Sequence, residues 1–181
     1  MKIYIFLAEG FEEIEAIAPI DIFRRAGIET ISVSIYDHLQ VLGAHNIIIN
    51  ADNTFKKTDF SGEFLIYLPG GMPGTTNLEK HEELLKLILK HAENGGKIAA
   101  ICAAPLILGK LNLLQGKTAI CYPGYENYLY GSKLSSSKIV KTENIFTAKA
   151  AGVAIKFALQ IVAEIKGTKI AEQIQQDIFL D

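Results

Sequence analysis

The chain has 181 residues, 49% of them apolar and 21% charged, with a formal net charge of −2. That length fits one domain over residues 1–181 with a large core, and the near-neutral balance gives no electrostatic case for nucleic acid or an anionic membrane surface. No apolar run reaches the roughly 18 residues that span a bilayer, and two cysteines do not make a disulfide framework, so a reducing cytoplasm is the expected setting.

Lys2 to Leu7 is a short apolar run ended by Gly10, which predicts a buried first strand and not a secretory signal. From Glu12 to Ala26 the apolar residues Ile14, Ile17, Ala18, Ile20, Ile22 and Phe23 recur with a helical period, stopped by Gly27. Glu29 to Ile35 is rich in β-branched residues and reads as a strand, and Gln40 to Asn50 reads as a hairpin turned at Gly43. Phe64 to Leu68 is a strand closed by Pro69-Gly70-Gly71, His81 to Glu93 an amphipathic helix, and Lys97 to Ile101 the next strand. A helix over Ala103 to Leu111, strands at Thr118 to Cys121 and Ile145 to Ala148, and helices at Ala150 to Ile165 and Lys169 to Gln176 complete the pattern. Strands alternating with helices imply right-handed βαβ units, hence an α/β fold with a mainly parallel sheet covered on both faces. Chemistry in such sheets is expected at the C-terminal ends of the strands.

One turn there carries a nucleophile. The strand Lys97 to Ile101 runs straight into Cys102, and Ala103-Ala104-Pro105 opens a helix. Small neighbours permit a tight turn that lifts the thiol off the sheet edge, and a helix start favours a thiolate. The alternative is a structural cysteine, since free cysteines are often buried.

Three segments together resemble the ThiJ/PfpI superfamily, most closely its Parkinsonism-associated protein deglycase branch. They are Gly10-Phe11-Glu12-Glu13-Ile14-Glu15 with Pro19 and Asp21, then Leu68-Pro69-Gly70-Gly71, then Ala99-Ala100-Ile101-Cys102-Ala103-Ala104-Pro105. The resemblance covers nearly the whole chain. It implies a flavodoxin-like three-layer sandwich, a homodimer, and a nucleophile-elbow cysteine at Cys102 with Glu15 against its sulfur. A carboxylate there would repel a thiolate, so the useful form is a protonated Glu15 that hydrogen-bonds to it and shares one proton with it. Glu12 and Glu13 read as acids on a solvated helix start. Gly70 lets the backbone come close to the cysteine, and the N–H groups of Gly71 and Ala103 are candidates for holding an oxyanion.

Two departures from the family pattern matter. The protease-like branch carries a histidine directly after the cysteine, and here Ala103 stands there, which disfavours peptidase activity. The deglycase branch usually carries a histidine just before a proline on the next strand, and here that residue is Tyr122, preceded by Cys121. A phenol is a poor base near neutrality. Cys121 reads as a small buried strand residue or as a resolving thiol. The four histidines, His38, His45, His81 and His91, have no metal-ligand spacing, so no metal is expected, and the cysteine chemistry expected below requires no cofactor. The resemblance puts His45 near the dimer face, which leaves it as a turn residue or a contributor to a partner's pocket. The expected function is a stress-protection enzyme with glyoxalase- or deglycase-type chemistry on a small aldehyde or glycated substrate. The alternative is a redox sensor or chaperone read out by oxidation of Cys102.

Overall fold

The computed structural model describes residues 1–181. In chain order the elements are β1 (Lys2–Leu7), α1 (Glu13–Arg25), β2 (Thr30–Ser34), β3 (Gln40–Leu42), β4 (Ile48–Asn50), β5 (Asn53–Thr54), β6 (Phe64–Leu68), α2 (Gly74–Lys80), α3 (Glu82–Glu93) and β7 (Lys97–Ile101). Then follow α4 (Pro105–Lys110), β8 (Thr118–Ala119), β9 (Lys133–Leu134), β10 (Ile139–Thr142), β11 (Ile145–Ala148), α5 (Ala154–Lys166) and α6 (Thr168–Asp177). No helix is long and apolar enough to cross a membrane.

The main sheet has seven strands in the order β10-β11-β7-β6-β1-β2-β5. All neighbours pair in parallel except the edge strand β10, which runs antiparallel to β11. The core order β2-β1-β6-β7-β11 is the flavodoxin-like arrangement. Period-two alternation sorts each strand's side chains onto two faces. Ile3, Ile5 and Leu7 of β1 join α1, α5 and α6 in one apolar layer of 24 buried residues, while Tyr4 and Phe6 join α2, α3 and α4 in another of 23. The near-equal layers explain why β1, β6 and β7 are continuous apolar runs: both faces are covered.

Several elements differ from the sequence expectation. The segment at Thr118 does not enter the main sheet; β8 is two residues long and pairs only with β9. The helix after Cys102 is the short α4, and α5 starts at Ala154 after a 3₁₀ turn over Ala151–Val153. Helix α2 and the edge strands β5 and β10 are additions. The hairpin of β3 and β4 forms as expected and is stitched to the entry of α1: Gly10 N–H donates to the Leu42 carbonyl at 2.8 Å and Ala44 N–H to the Phe11 carbonyl at 2.9 Å.

Candidate active site

Three strands end side by side, and each delivers one part of the site to the same edge. The chain leaving β1 enters α1, whose first turn holds Glu15; β6 runs into Pro69-Gly70-Gly71; β7 runs into Cys102. The strand order reverses between β1 and β6, which makes this the switch point of the sheet, where open α/β folds form their crevices. Cys102 has a φ of +64°, a left-handed conformation that costs a side-chain-bearing residue on the order of 1 kcal/mol. That is the geometry of a nucleophile elbow. Pro105 sits at the first position of α4, where a missing N–H is harmless.

Glu15 is fully buried. Its Oε2 accepts the Gly70 N–H at 2.9 Å, and its Oε1 is buried without a partner at hydrogen-bonding geometry. Burial pushes the carboxyl up to about 7, against the pull of the Cys102 thiol and the Gly70 N–H; the charge of Glu12 adds to the rise and the Ala151 N–H opposes it. An anion with an unpaired buried oxygen is costly, whereas protonation converts that oxygen into a donor.

Cys102 is half-buried. Burial, then the charge of Glu15 and its side-chain contact, push the thiol up to about 12, while the N–H groups of Ala103 and Gly71 pull it down. The expectation that the start of α4 would give a low thiol pKa is therefore corrected. Helix α4 has only six residues, and burial first, then the neighbouring carboxylate, outweigh it. The part of the rise that comes from the charge of Glu15 belongs to the state with Glu15 ionised, whereas the larger part, from burial, stays in either state. Protonating Glu15 removes the repulsion and supplies a donor to the sulfur, so the two groups titrate as a pair that shares one proton.

The glycines are required sterically. A β-carbon at Gly70 would lie 2.7 Å from both Cys102 Cβ and Glu15 Oε2, and one at Gly71 would lie 2.3 Å from the Glu12 backbone nitrogen. Gly71 also has a φ of +90°, which favours glycine. The same close approach lets Glu12 N–H donate to the Gly70 carbonyl at 2.9 Å.

Tyr122 reaches the site through its main chain: its N–H donates to the Cys102 carbonyl at 2.7 Å, and its side chain is exposed. Cys121 is buried in the apolar layer on the other side of the sheet from the one Cys102 packs against. Burial, then the charge of Glu126, push its thiol up to about 12. Both thiols are free. His45 lies across from α1, where its N–H donates to Glu13 Oε1 at 2.7 Å and its Nδ1 sits 2.8 Å from Glu13 Oε2. Donor atoms of Glu12, Glu13 and His45 lie within 4.8 Å of one another, a spacing open to a cation, but both Glu13 oxygens already have partners. The other histidines are structural. His81 accepts the Leu84 N–H at the start of α3, His91 stacks on Phe64 at 4.2 Å, and His38 stacks on Tyr36 at 5.3 Å.

A sequence profile of the DJ-1/PfpI family matches residues 1–164. The chain belongs to the DJ-1/PfpI family. It is 29% identical over 180 residues to the Parkinson disease protein 7 homolog of Danio rerio, covering 97% of this chain and 95% of the relative. It superimposes on the structure of oxidized Toxoplasma gondii DJ-1 with a TM-score of 0.90 at 30% identity, covering 98% of this chain and 97% of that one. It is also 31% identical over 118 residues to a deglycase of Thermococcus kodakarensis, covering 65% of this chain and 69% of the relative.

Within this DJ-1/PfpI chain, two residues near the site escaped the sequence reading. Glu13 is buried and not solvated, because a hairpin distant in sequence closes over it. Tyr67, the fourth of the five residues of β6, donates its hydroxyl to the Glu15 main-chain carbonyl at 3.1 Å. The only sequence signal for the second lies in α1, where a proline stands one turn after Glu15.

Proposed function

We propose that this DJ-1/PfpI protein is a cysteine-dependent stress-protection enzyme that performs glyoxalase- or deglycase-type chemistry on reactive dicarbonyls or their adducts, without a cofactor. The observation that carries this reading is the fully buried Glu15 carboxyl, fixed by the Gly70 N–H and paired with the Cys102 thiol at the sheet edge. Proton transfer from Cys102 to Glu15 yields a thiolate beside a neutral acid. The thiolate adds to the aldehyde carbon of methylglyoxal, and the resulting alkoxide, facing the N–H groups of Ala103 and Gly71, takes the proton from Glu15 to give a hemithioacetal beside a carboxylate. Glu15 then moves the proton from the former aldehyde carbon to the adjacent carbonyl carbon through an enediol. Water cleaves the resulting thioester, so that methylglyoxal and one water become lactate and the thiol is restored. The deglycase name of the Thermococcus relative supports this class of substrate.

A second reading, oxidation of Cys102 as a signal with little turnover, is favoured by Tyr122, which leaves the site without a side chain that titrates near neutrality at that position. One experiment separates the two: lactate production from methylglyoxal by the wild type and by Cys102→Ala, alongside peptide mass mapping after mild peroxide. The enzyme reading expects Cys102→Ala to lose at least about a hundredfold in rate. Equal rates for the two proteins, with oxygen added to the Cys102 peptide, would leave the second reading standing in its place.

A further inference from the structure

Helix α1 contains Pro19 four residues after Glu15. In an α-helix the carbonyl of one residue accepts the N–H four positions on. Pro19 has no N–H to give, and its ring crowds the Glu15 carbonyl. A buried carbonyl left without a donor costs as much as a lost hydrogen bond.

The donor comes from outside the helix. Tyr67 of β6 is fully buried, and its hydroxyl donates to the Glu15 carbonyl at 3.1 Å. Its ring stands edge-on to Phe23 of α1 at 5.9 Å and tilted against Phe157 of α5 at 5.9 Å, so the hydroxyl has little freedom to point elsewhere. Burial, then the charge of Glu15, hold the phenol well above its ordinary value, and it remains a donor at any pH at which the protein works. Three residues further along the same strand exit, the Gly70 N–H holds the Glu15 side chain. Glu15 is thus tied to β6 at both ends, main chain by Tyr67 and carboxyl by Gly70.

We infer that Tyr67 is a positioning residue for the Glu15–Cys102 pair, made necessary by Pro19, which removes the helix's own donor to the Glu15 carbonyl. Without the hydroxyl, that carbonyl tilts in search of another donor and carries the carboxyl away from the Gly70 N–H. Losing an N–H that favours the ionised form makes the carboxyl hold its proton more tightly. The consequence for turnover rests on the function proposed above; the consequence for titration does not.

The test is a cycle of four proteins: wild type, Tyr67→Phe, Pro19→Ala and the double variant. Residue 19 as alanine offers an N–H to the Glu15 carbonyl, so Pro19→Ala makes the phenol dispensable. The first readout is the pH profile of Cys102 alkylation, followed by mass mapping of its peptide. Tyr67→Phe is expected to move the lower inflection of the pair up by about half a unit or more. Pro19→Ala alone leaves the profile where it was, and the double variant returns to it. The second readout is methylglyoxal turnover, where Tyr67→Phe lowers kcat about tenfold with little change in KM, again restored in the double variant. Absence of turnover in the wild type would defeat the proposed function and leave the alkylation profile to decide this inference. An unshifted profile in folded Tyr67→Phe overturns it, and so does a shift that Pro19→Ala does not correct. Should Tyr67→Phe fold poorly, the double variant decides: wild-type folding and titration support the inference, and failure to recover either one overturns it.

Discussion

Burying Glu15 beside Cys102 sets the cost of a dry carboxylate against the value of a proton held ready at the sulfur. The carboxyl is raised from 4.5 to about 7, chiefly by burial. A group with a raised folded-state pKa contributes stability that is fully present below its unfolded value and lost as pH rises through its folded one. The wild type therefore loses about 3 kcal/mol through this group between about pH 4 and pH 8. Glu15→Gln keeps a side chain of the same shape with no proton to lose. It should be more stable than the wild type at the alkaline end of that window, with the advantage vanishing toward the acid end. Paired denaturant titrations at the two ends measure this; parallel curves, with no growth of the difference with pH, would show that Glu15 is not the buried acid described above. The same variant loses the proton transfer that the proposed reaction needs, so stability and activity should move in opposite directions, as expected where a functional residue is also a strained one.

At the scale of elements, the hairpin of β3 and β4 is held down by Glu13 and His45. Burial alone would raise the Glu13 carboxyl, but the side-chain and backbone bonds from His45 bring it below its usual range, and the same contact raises His45. The histidine's share of stability is present below its ordinary value of 6.5 and lost as pH rises through its raised one; the glutamate's is present above 4.5 and lost as pH falls through its lowered one. His45→Ala should therefore speed hydrogen exchange across the hairpin amides, by about fivefold between those limits and by less at alkaline pH. A change that is the same at every pH would mean that the pair is not what fastens the hairpin. This tie also shows why the sequence leaves Glu13 looking solvated: the residue that buries it is 32 positions away. The strands β1, β6, β7 and β11 are readable to the residue because double-sided burial writes itself as an apolar run bounded by Gly, Pro or polar residues. Helix α2 is not readable. Its sequence Gly74-Thr75-Thr76-Asn77-Leu78-Glu79-Lys80 has weak helical propensity, and it is set by the N–H of Thr75 on the Gly71 carbonyl and of Gly74 on the Gly10 carbonyl. The strand expected from Thr118 to Cys121 shortens for a similar reason, since the chain leaves it to place the Tyr122 N–H on the Cys102 carbonyl. Cys102 stands out in the sequence because it sits between a strand exit and a helix entry, while Glu15, Gly70 and Gly71 stand out through the family resemblance; Tyr67 does neither, because its task is created by Pro19 in another element.

At the scale of the whole molecule, the stitched pair of α1 and the hairpin presents an apolar surface. Ile14 and Ile17 of α1 and Leu42, Ile47 and Ile48 of the hairpin are all exposed, on segments bound to each other by the Gly10, Ala44 and His45 amides. Single exposed apolar residues are ordinary, but a group carried on joined segments marks an interaction surface. A second copy of this chain is the occupant we propose, in line with the homodimer that the family resemblance implies. A two-fold contact is self-complementary, so each exposed isoleucine meets the partner's apolar surface and one charged substitution enters the interface twice. Light scattering at micromolar concentration should give twice the chain mass for the wild type. Ile14→Lys or Ile48→Glu should shift the protein toward the monomer without unfolding it, because neither side chain belongs to the buried layers on the sheet. A monomeric wild type would refute the dimer, and a dimer indifferent to both substitutions would place its interface elsewhere on the surface.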